Sequence, residues 1–434
     1  MTAQTTSRTI VDAALERAAA PAGEGSRVFL SLDAEGARRS ADAVDRQTSR
    51  LSPIAGLPIS IKDLLDVEGQ VTTAASPALR NTPAAARDSA VVSRLKRAGA
   101  VLVGRTNMTE FAFTGVGINP HYGAPANPFD RAARRIPGGS SSGAAVSVTD
   151  GMCVAAIGSD TGGSVRIPAA LCGIAGFKPT QNRVPLDGVF PLSPTLDSIG
   201  VLAPTVSLCA AFDAVLAAEE SADLPAADLR TLRARVPSNY FLDNLDAPVA
   251  DAFQHALAAL FAAGLPLADI ALPEIADIAA VNAGGGFAAA EAYAWHRDHS
   301  TDLAASDPRV TERIMRGASI SAEDLARMHV SRRDIIKRFD AKHALTDVIL
   351  CPTVPIVAPP IRTLEEDVDE FRRVNGLLLR NPSVVNFLDR CALTIPCHRP
   401  GDAPVGLMLI GRHGQDRALL AIGAAVERVL RAGV

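Results

Sequence analysis

Three stretches of the chain hold residues whose types and spacing could do chemistry. The first is Lys62 in PISIKDLLD, a lysine standing inside an apolar run. Burial disfavours the ammonium form of lysine and lowers its pKa until the amine can serve as a base. The plainer alternative is a strand-end lysine that sends its amine to solvent or pairs with Asp63 or Asp66. The second is Gly138-Gly139-Ser140-Ser141-Ser142-Gly143, three adjacent hydroxyls between glycines. It reads either as a flexible turn capping a helix that begins near Ala144, or as a loop holding one hydroxyl where it can pass a proton. The third is IGSDTGGSVRIPAA, residues 157 to 170. There Thr161, Gly162, Gly163 and Ser164 offer consecutive backbone N–H groups with little side-chain bulk, as an oxyanion hole for acyl transfer requires, and Ser164 is the candidate nucleophile. The same residues would also suit a simple turn. Asp160 and Arg166 flank them and are expected to form an ion pair that holds the loop, with substrate binding by Arg166 as the second option.

A serine hydroxyl needs a base to become a good nucleophile. The eight histidines, His121, His296 and His398 among them, lie in surroundings that mark none of them as a partner for a serine, which leaves a lysine-based system. Phosphate and dinucleotide readings fail. No Gly-Lys-Ser/Thr follows the glycine-rich loop, and in GVGINP, residues 115 to 120, Pro120 stands where a third glycine is needed. Cys153, Cys172, Cys209, Cys351, Cys391 and Cys397 are scattered without C-x-x-C or zinc-ligand spacing and read as reduced core thiols. Neither a metal nor an organic cofactor is expected. A formal charge of -4 gives no basic surplus for nucleic acid, and the cluster of Arg131, Arg134 and Arg135 is too short to change that.

The elements that must position these residues alternate between helix and strand. Ile10, Ala14 and Ala18 share one face of a helix over 10–20, and a second helical stretch follows over 34–48. GLPISIKDLLDV reads as a buried strand, and AVVSRLKRAGAVLVGRT as an amphipathic helix, a stop at Gly99 and an apolar strand. Residues 115–200 are dense in Gly, Pro, Ser, Thr and Asn yet contain the apolar runs GMCVAAIGSD and CGIAGF, so they are not a linker. Residues 202–323 read as helical, alanine-rich and poor in special chemistry. ALTDVILCPTVP and APVGLMLIG read as further strands, the latter followed by a helix over DRALLAIGAAVERVL. The pattern is that of an α/β protein with no composition break between independent domains. The first twenty residues lack the apolar stretch of a secretory signal, and the most apolar window, VILCPTVPIVAPPI, holds four prolines, so a cytoplasmic protein without membrane contact is expected.

Taken together, these segments resemble the amidase signature family. GLPISIKDLLDVEGQVTTAAS is similar to its lysine segment, NPFDRAARRIPGGSSSGAAV to its Gly/Ser-rich signature, and GSDTGGSVRIPAALCGIAGFKPT to its nucleophile segment. APVGLMLIG resembles its closing strand. The three motifs occur in order, and Ser140 and Ser164 stand 24 positions apart, as in the family. The resemblance implies a Ser-Ser-Lys triad of Lys62, Ser140 and Ser164, a cis peptide bond before Ser140, and an oxyanion hole from the Thr161–Ser164 loop. Ser140 would then carry the proton, while Ser141 and Ser142 orient the loop and cap its helix. It implies a single α/β domain over 1–434, a central mixed sheet covered by helices on both faces. Within it, a signature core spans about 50–205, a variable substrate-determining segment about 205–345, and closing strands and helix about 346–434. Where family members often have Ser or Gly after Gly143, this chain has Ala144-Ala145.

The expected function is a serine amidohydrolase that cleaves the C–N bond of a small amide through an acyl-enzyme on Ser164. A carbamate or ester is an alternative reactant. So is service as the amide-cleaving component of a tRNA-dependent amidotransferase, and a non-enzymatic scaffold is a third reading. The tyrosine–arginine pattern of allophanate hydrolases is not evident, nor is an N-terminal membrane segment like that of fatty acid amide hydrolase. Partners are then the amide and water, with a homodimer open. In EAYAWHRDH, Glu291, Tyr293, Trp295 and His296 fall at helical spacings; Tyr293 and Trp295 either line the acyl pocket or pack the helix.

Overall fold

A strand that is apolar at every position must be covered on both faces, and Pro58–Lys62 (β2) is buried at all five positions. In the computed structural model, which describes residues 6–49, 51–220 and 223–432, it lies between two parallel neighbours. One is Val101–Thr106 (β3), the other Ala155–Ser159 (β4). The apolar runs of the Gly-rich region supply β4 and Ala175–Lys178 (β5), and Ile199–Ala203 (β6) pairs antiparallel with both.

With Phe29–Leu32 (β1), Ala234–Pro237 (β7), Leu267–Ile270 (β8), Val348–Pro352 (β9), Ala392–Pro396 (β10) and Gly406–Ile410 (β11), the sheet has 11 strands. Their order is β1-β3-β2-β4-β6-β5-β10-β11-β9-β7-β8. Parallel pairing around β2 and β7 and antiparallel pairing through the middle make it a mixed sheet, with helices on its faces.

Local signals set the boundaries. Ser89 caps the helix Ala90–Arg97, its side chain accepting from Val92 N–H, and Val91, Val92 and Leu95 form its buried face. The helix predicted over 34–48 ends at Asp45. The helical reading of 202–323 needs a larger correction, because β7 and β8 lie inside it. Both are four-residue strands at the far end of the sheet, and β8, on the edge, is fully buried at none of its positions, so neither shows the apolar run of a central strand. Among the described residues no helix is long and apolar enough to cross a membrane. The reading of the N-terminus as free of a signal falls partly on residues 1–5, outside the described residues.

Candidate active site

The parallel strands β2 and β4 end side by side, with Ile61 opposite Ile157, so Lys62 and Ser159 emerge at the same edge. Lys62 is wholly buried, and its Nζ lies 2.7 Å from Ser140 Oγ and 2.9 Å from Ser159 Oγ. The solvent-facing alternative does not hold. Asp63 pairs instead with Arg105, whose Nε donates to Oδ1 at 2.6 Å, and Asp66 accepts from Thr72 Oγ1 at 2.6 Å. Burial lowers the Lys62 pKa to about 7, against the pull of the Asp160 and Asp197 charges.

The Gly139–Ser140 peptide bond is cis. Gly139 has no room for a side chain, since a Cβ there would lie 2.6 Å from the Gly117 nitrogen. The helix that follows starts at Ser142 rather than near Ala144, and its N-cap position is Ser141. The expected hydroxyl caps are not formed. Ser141 has φ -84° and ψ 53°, outside the extended geometry that aims a cap at the first turn. Its hydroxyl donates to Ser159 O at 3.4 Å, and the Ser142 hydroxyl to Asn107 O at 3.5 Å, so both fasten the loop to its neighbours.

Between β4 and the helix Arg166–Cys172 runs the loop that carries Ser164. Asp160 and Arg166, both fully buried, hold it together. Arg166 Nε donates to Asp160 Oδ2 at 3.0 Å and its Nη2 to Oδ1 at 2.9 Å. Asp160 also accepts from the backbone N–H of Gly163 and Val165. Burial alone would raise the Asp160 pKa, but Arg166, Lys178 and the Asn386 amide hold it well below the usual carboxylate range. Gly163, at φ +122°, packs so closely on the helix Val368–Phe387 that a Cβ would meet Pro382 Cβ at 2.5 Å.

These bonds correct the oxyanion-hole expectation at one position: the Gly163 N–H is committed to Asp160 Oδ1 at 2.9 Å. Among the described residues the N–H groups of Thr161, Gly162 and Ser164 have no protein acceptor, and all three residues line a cavity of about 220 Å³. Ser164 is 4% exposed there. Its carbonyl accepts from Ser141 N–H at 3.3 Å, which fixes the two serine segments together. Its hydroxyl makes no hydrogen bond among the described residues. The structure therefore joins Lys62 to Ser140 through side chains and brings Ser164 beside them through backbone.

Several residues that sequence reasoning missed complete the site. Ser159 is the second partner of Lys62. Asn386 bonds both the Asp160 carbonyl and its carboxylate, at 3.0 and 2.9 Å. Asp197 accepts from the Thr161 hydroxyl and from the N–H groups of Leu192 and Ser193, and burial pushes its pKa up to about 7. Arg313 reaches the cavity from the variable segment. By contrast, Glu291, Tyr293, Trp295 and His296 do not line it. Trp295 packs edge-on against Phe190 at 4.5 Å and stacks on His299 at 4.1 Å, while Glu291 accepts from Ser193 and Thr195.

The family model described as Amidase matches residues 9–420. The chain is 37% identical over 421 residues to 2-amino-5-chloromuconic acid deaminase of Comamonas testosteroni, covering 93% of this chain and 89% of that one. It is 36% identical over 467 residues to a glutamyl-tRNA(Gln) amidotransferase subunit of Roseiflexus sp. strain RS-1, covering 99% and 94%. A crystal structure of an amidase superposes with a TM-score of 0.86 at 30% identity, covering 99% of this chain and 96% of its own.

Proposed function

We propose, from the premise that this chain belongs to the amidase signature family, that it hydrolyses a small amide through a relay of Lys62, Ser140 and Ser164. The observation that carries this reading is the buried Lys62 amine, held near neutrality and hydrogen-bonded to Ser140. In its neutral form the amine accepts the proton of Ser140. Ser140 takes that of Ser164 once the Ser164 hydroxyl turns toward it, and Ser164 Oγ attacks the amide carbon. The N–H groups of Thr161, Gly162 and Ser164 receive the oxyanion, where one such donor is typically worth about 3 kcal/mol. Collapse of the tetrahedral intermediate breaks the C–N bond. Ser140 gives its proton to the departing nitrogen and regains one from the Lys62 ammonium. Water then repeats the cycle on the acyl-enzyme, releasing the acid and restoring Ser164. The sum is amide plus water to acid plus amine. Asp160, Arg166 and Ser141 position the loops and touch no reacting atom.

The likeness to amidotransferase subunits supports a second reading, in which the released ammonia is passed to a partner. The test is whether the purified chain alone hydrolyses amides. The six cysteines, all buried free thiols, suit a cytoplasmic setting. Ser164→Ala is expected to lower turnover at least about 10⁴-fold while leaving the unfolding midpoint unchanged. A fluorophosphonate should label the parent protein and not the variant. Substantial turnover by Ser164→Ala would reject the assigned nucleophile.

A further inference from the structure

We infer that the substrate is a small amide bearing a carboxylate, held by Arg313, and bearing no ammonium group. This rests on the hydrolytic reading of Ser164 and names the substrate class of that same site.

Arg313 lies on the helix Pro308–Met315, whose N-terminus is fixed by Asp307 accepting from Arg309 N–H. Among the described residues it is the one charged side chain lining the cavity that also exposes Thr161, Gly162 and Ser164. Its Nε is fully enclosed and has no hydrogen-bond partner, and the guanidinium lies over the Phe113 ring at 5.0 Å. It forms no ion pair with any described residue. The neighbouring acid, Glu312, is bonded away from it, to Arg316 at 3.0 Å and Arg372 at 2.9 Å. Burial lowers its pKa to about 10, which leaves it cationic at neutral pH. None of the nitrogens of this guanidinium has a hydrogen-bond partner among the described residues, and Thr114, whose enclosed hydroxyl also lacks one, lines the same cavity. Polar groups shut away from water are normally satisfied, so an unpartnered guanidinium at the cavity wall calls for an acceptor from outside the chain. A carboxylate fits it.

The rest of the lining says what the substrate lacks. No described Asp or Glu borders the cavity; its other walls include Leu192, Leu196, Phe287, Leu379 and Phe387. Acids behind its walls are spent: Asp160 holds Gly163 and Arg166. Asp197 and Glu291 hold the loop that carries Leu192 and Leu196, through Leu192, Ser193 and Thr195. An α-ammonium would be desolvated there without a counter-charge. Size agrees: a cavity of about 150 Å³ holds benzene, so about 220 Å³ has room for about nine non-hydrogen atoms, enough for a half-amide of a short dicarboxylic acid.

Glutaramate and glutamine differ only in the α-ammonium group, and pentanamide lacks the carboxylate, so the three amides separate both claims. For the purified protein kcat/KM is expected to be at least 100-fold higher for glutaramate than for either of the others. Arg313→Met should lower the glutaramate value at least 100-fold, mainly through KM, and erase its preference over pentanamide. Arg313→Lys should restore part of that preference. Equal turnover of glutamine or pentanamide, or an unchanged preference in Arg313→Met, would overturn the inference and leave the hydrolytic reading standing. If no amide is cleaved, the hydrolytic reading falls, and titration calorimetry with glutarate decides the carboxylate site by itself. Binding by the parent and by Ser164→Ala, but not by Arg313→Met, upholds it; failure to bind the parent overturns it.

Discussion

Two arginines separate the part of this molecule that builds the candidate site from the part that lines its cavity. Arg166, just after the loop that carries Ser164, is 0% exposed, and each of its three side-chain nitrogens has a partner: Asp160, Pro382 O, Asn386 Oδ1 or Met408 Sδ. Arg313, on the wall of the cavity, has an aromatic face beneath it and no acceptor for its Nε. Desolvating a guanidinium is costly in both places, but only at Arg166 is the cost offset within the chain. A satisfied buried charge fixes geometry, whereas an unsatisfied one facing a cavity is available to a ligand.

The largest expected effect tests that contrast directly. Arg166→Met leaves Asp160 buried without its cation and should cost about 3–5 kcal/mol of stability, since breaking a buried pair strands the remaining charge. Arg313→Met removes an uncompensated charge and should leave stability within about 1 kcal/mol of the parent or raise it. Denaturant unfolding of the two variants side by side measures both. If they lose stability equally, Arg313 has a partner within the fold and the contrast collapses.

How much of this could be read from the sequence follows the same division. Lys62, Ser140, Ser164 and the Asp160–Arg166 pair lie in continuous motifs, where residue type and spacing suggest a chemistry and the fold brings the motifs into contact. Ser159 lies inside such a motif, but its type and place there do not mark it; it matters because β4 pairs with β2 and ends beside Lys62. Asn386 comes from a helix more than 200 positions downstream and meets Asp160 only in three dimensions. Arg313 lies in the stretch read as alanine-rich packing, where one arginine on an amphipathic helix is indistinguishable from a solvent-facing one. The aromatic cluster stayed open between lining and packing for the related reason that helical spacing shows which residues share a face, not which face borders the cavity; it packs. Within the same stretch, β7 and β8 were hidden because short strands at the end of a sheet need no continuous apolar run.

Lys62 stands between the two arginines: its partners are neutral hydroxyls, and titration decides its charge. The unfolded chain keeps the lysine proton to about pH 10.4, whereas the folded protein releases it near pH 7. Between those values the unfolded state binds more protons, so this group makes stability rise with pH, on the order of 1 kcal/mol per pH unit where the difference is a full proton. The stability of the parent minus that of Lys62→Met is therefore expected to increase from pH 7 to pH 9. If the neutral amine is the base, as proposed, kcat/KM of the parent should climb over the same region with an apparent pKa near 7. A flat stability difference would place the amine within reach of water and make Lys62 an ordinary surface cation.

The smallest effect sharpens the division furthest, because it removes one partner from a cation that has two. Ser159→Ala leaves Lys62 bonded to Ser140 alone. The deleted hydroxyl serves the ammonium form better than the amine, as a hydrogen bond to a charged group is worth about 1.5–3 kcal/mol, more than one between neutral groups. Losing it should weaken the base and shift the rising limb of kcat/KM to lower pH by about one unit. The plateau rate should fall only by the reduced basicity, while Ser164 and the oxyanion donors remain in place. A purely structural role for Ser159 would lower activity equally at every pH. A limb that stays at its parent position, or moves upward, would mean that Ser140 and the surrounding burial set the basicity of Lys62 without Ser159.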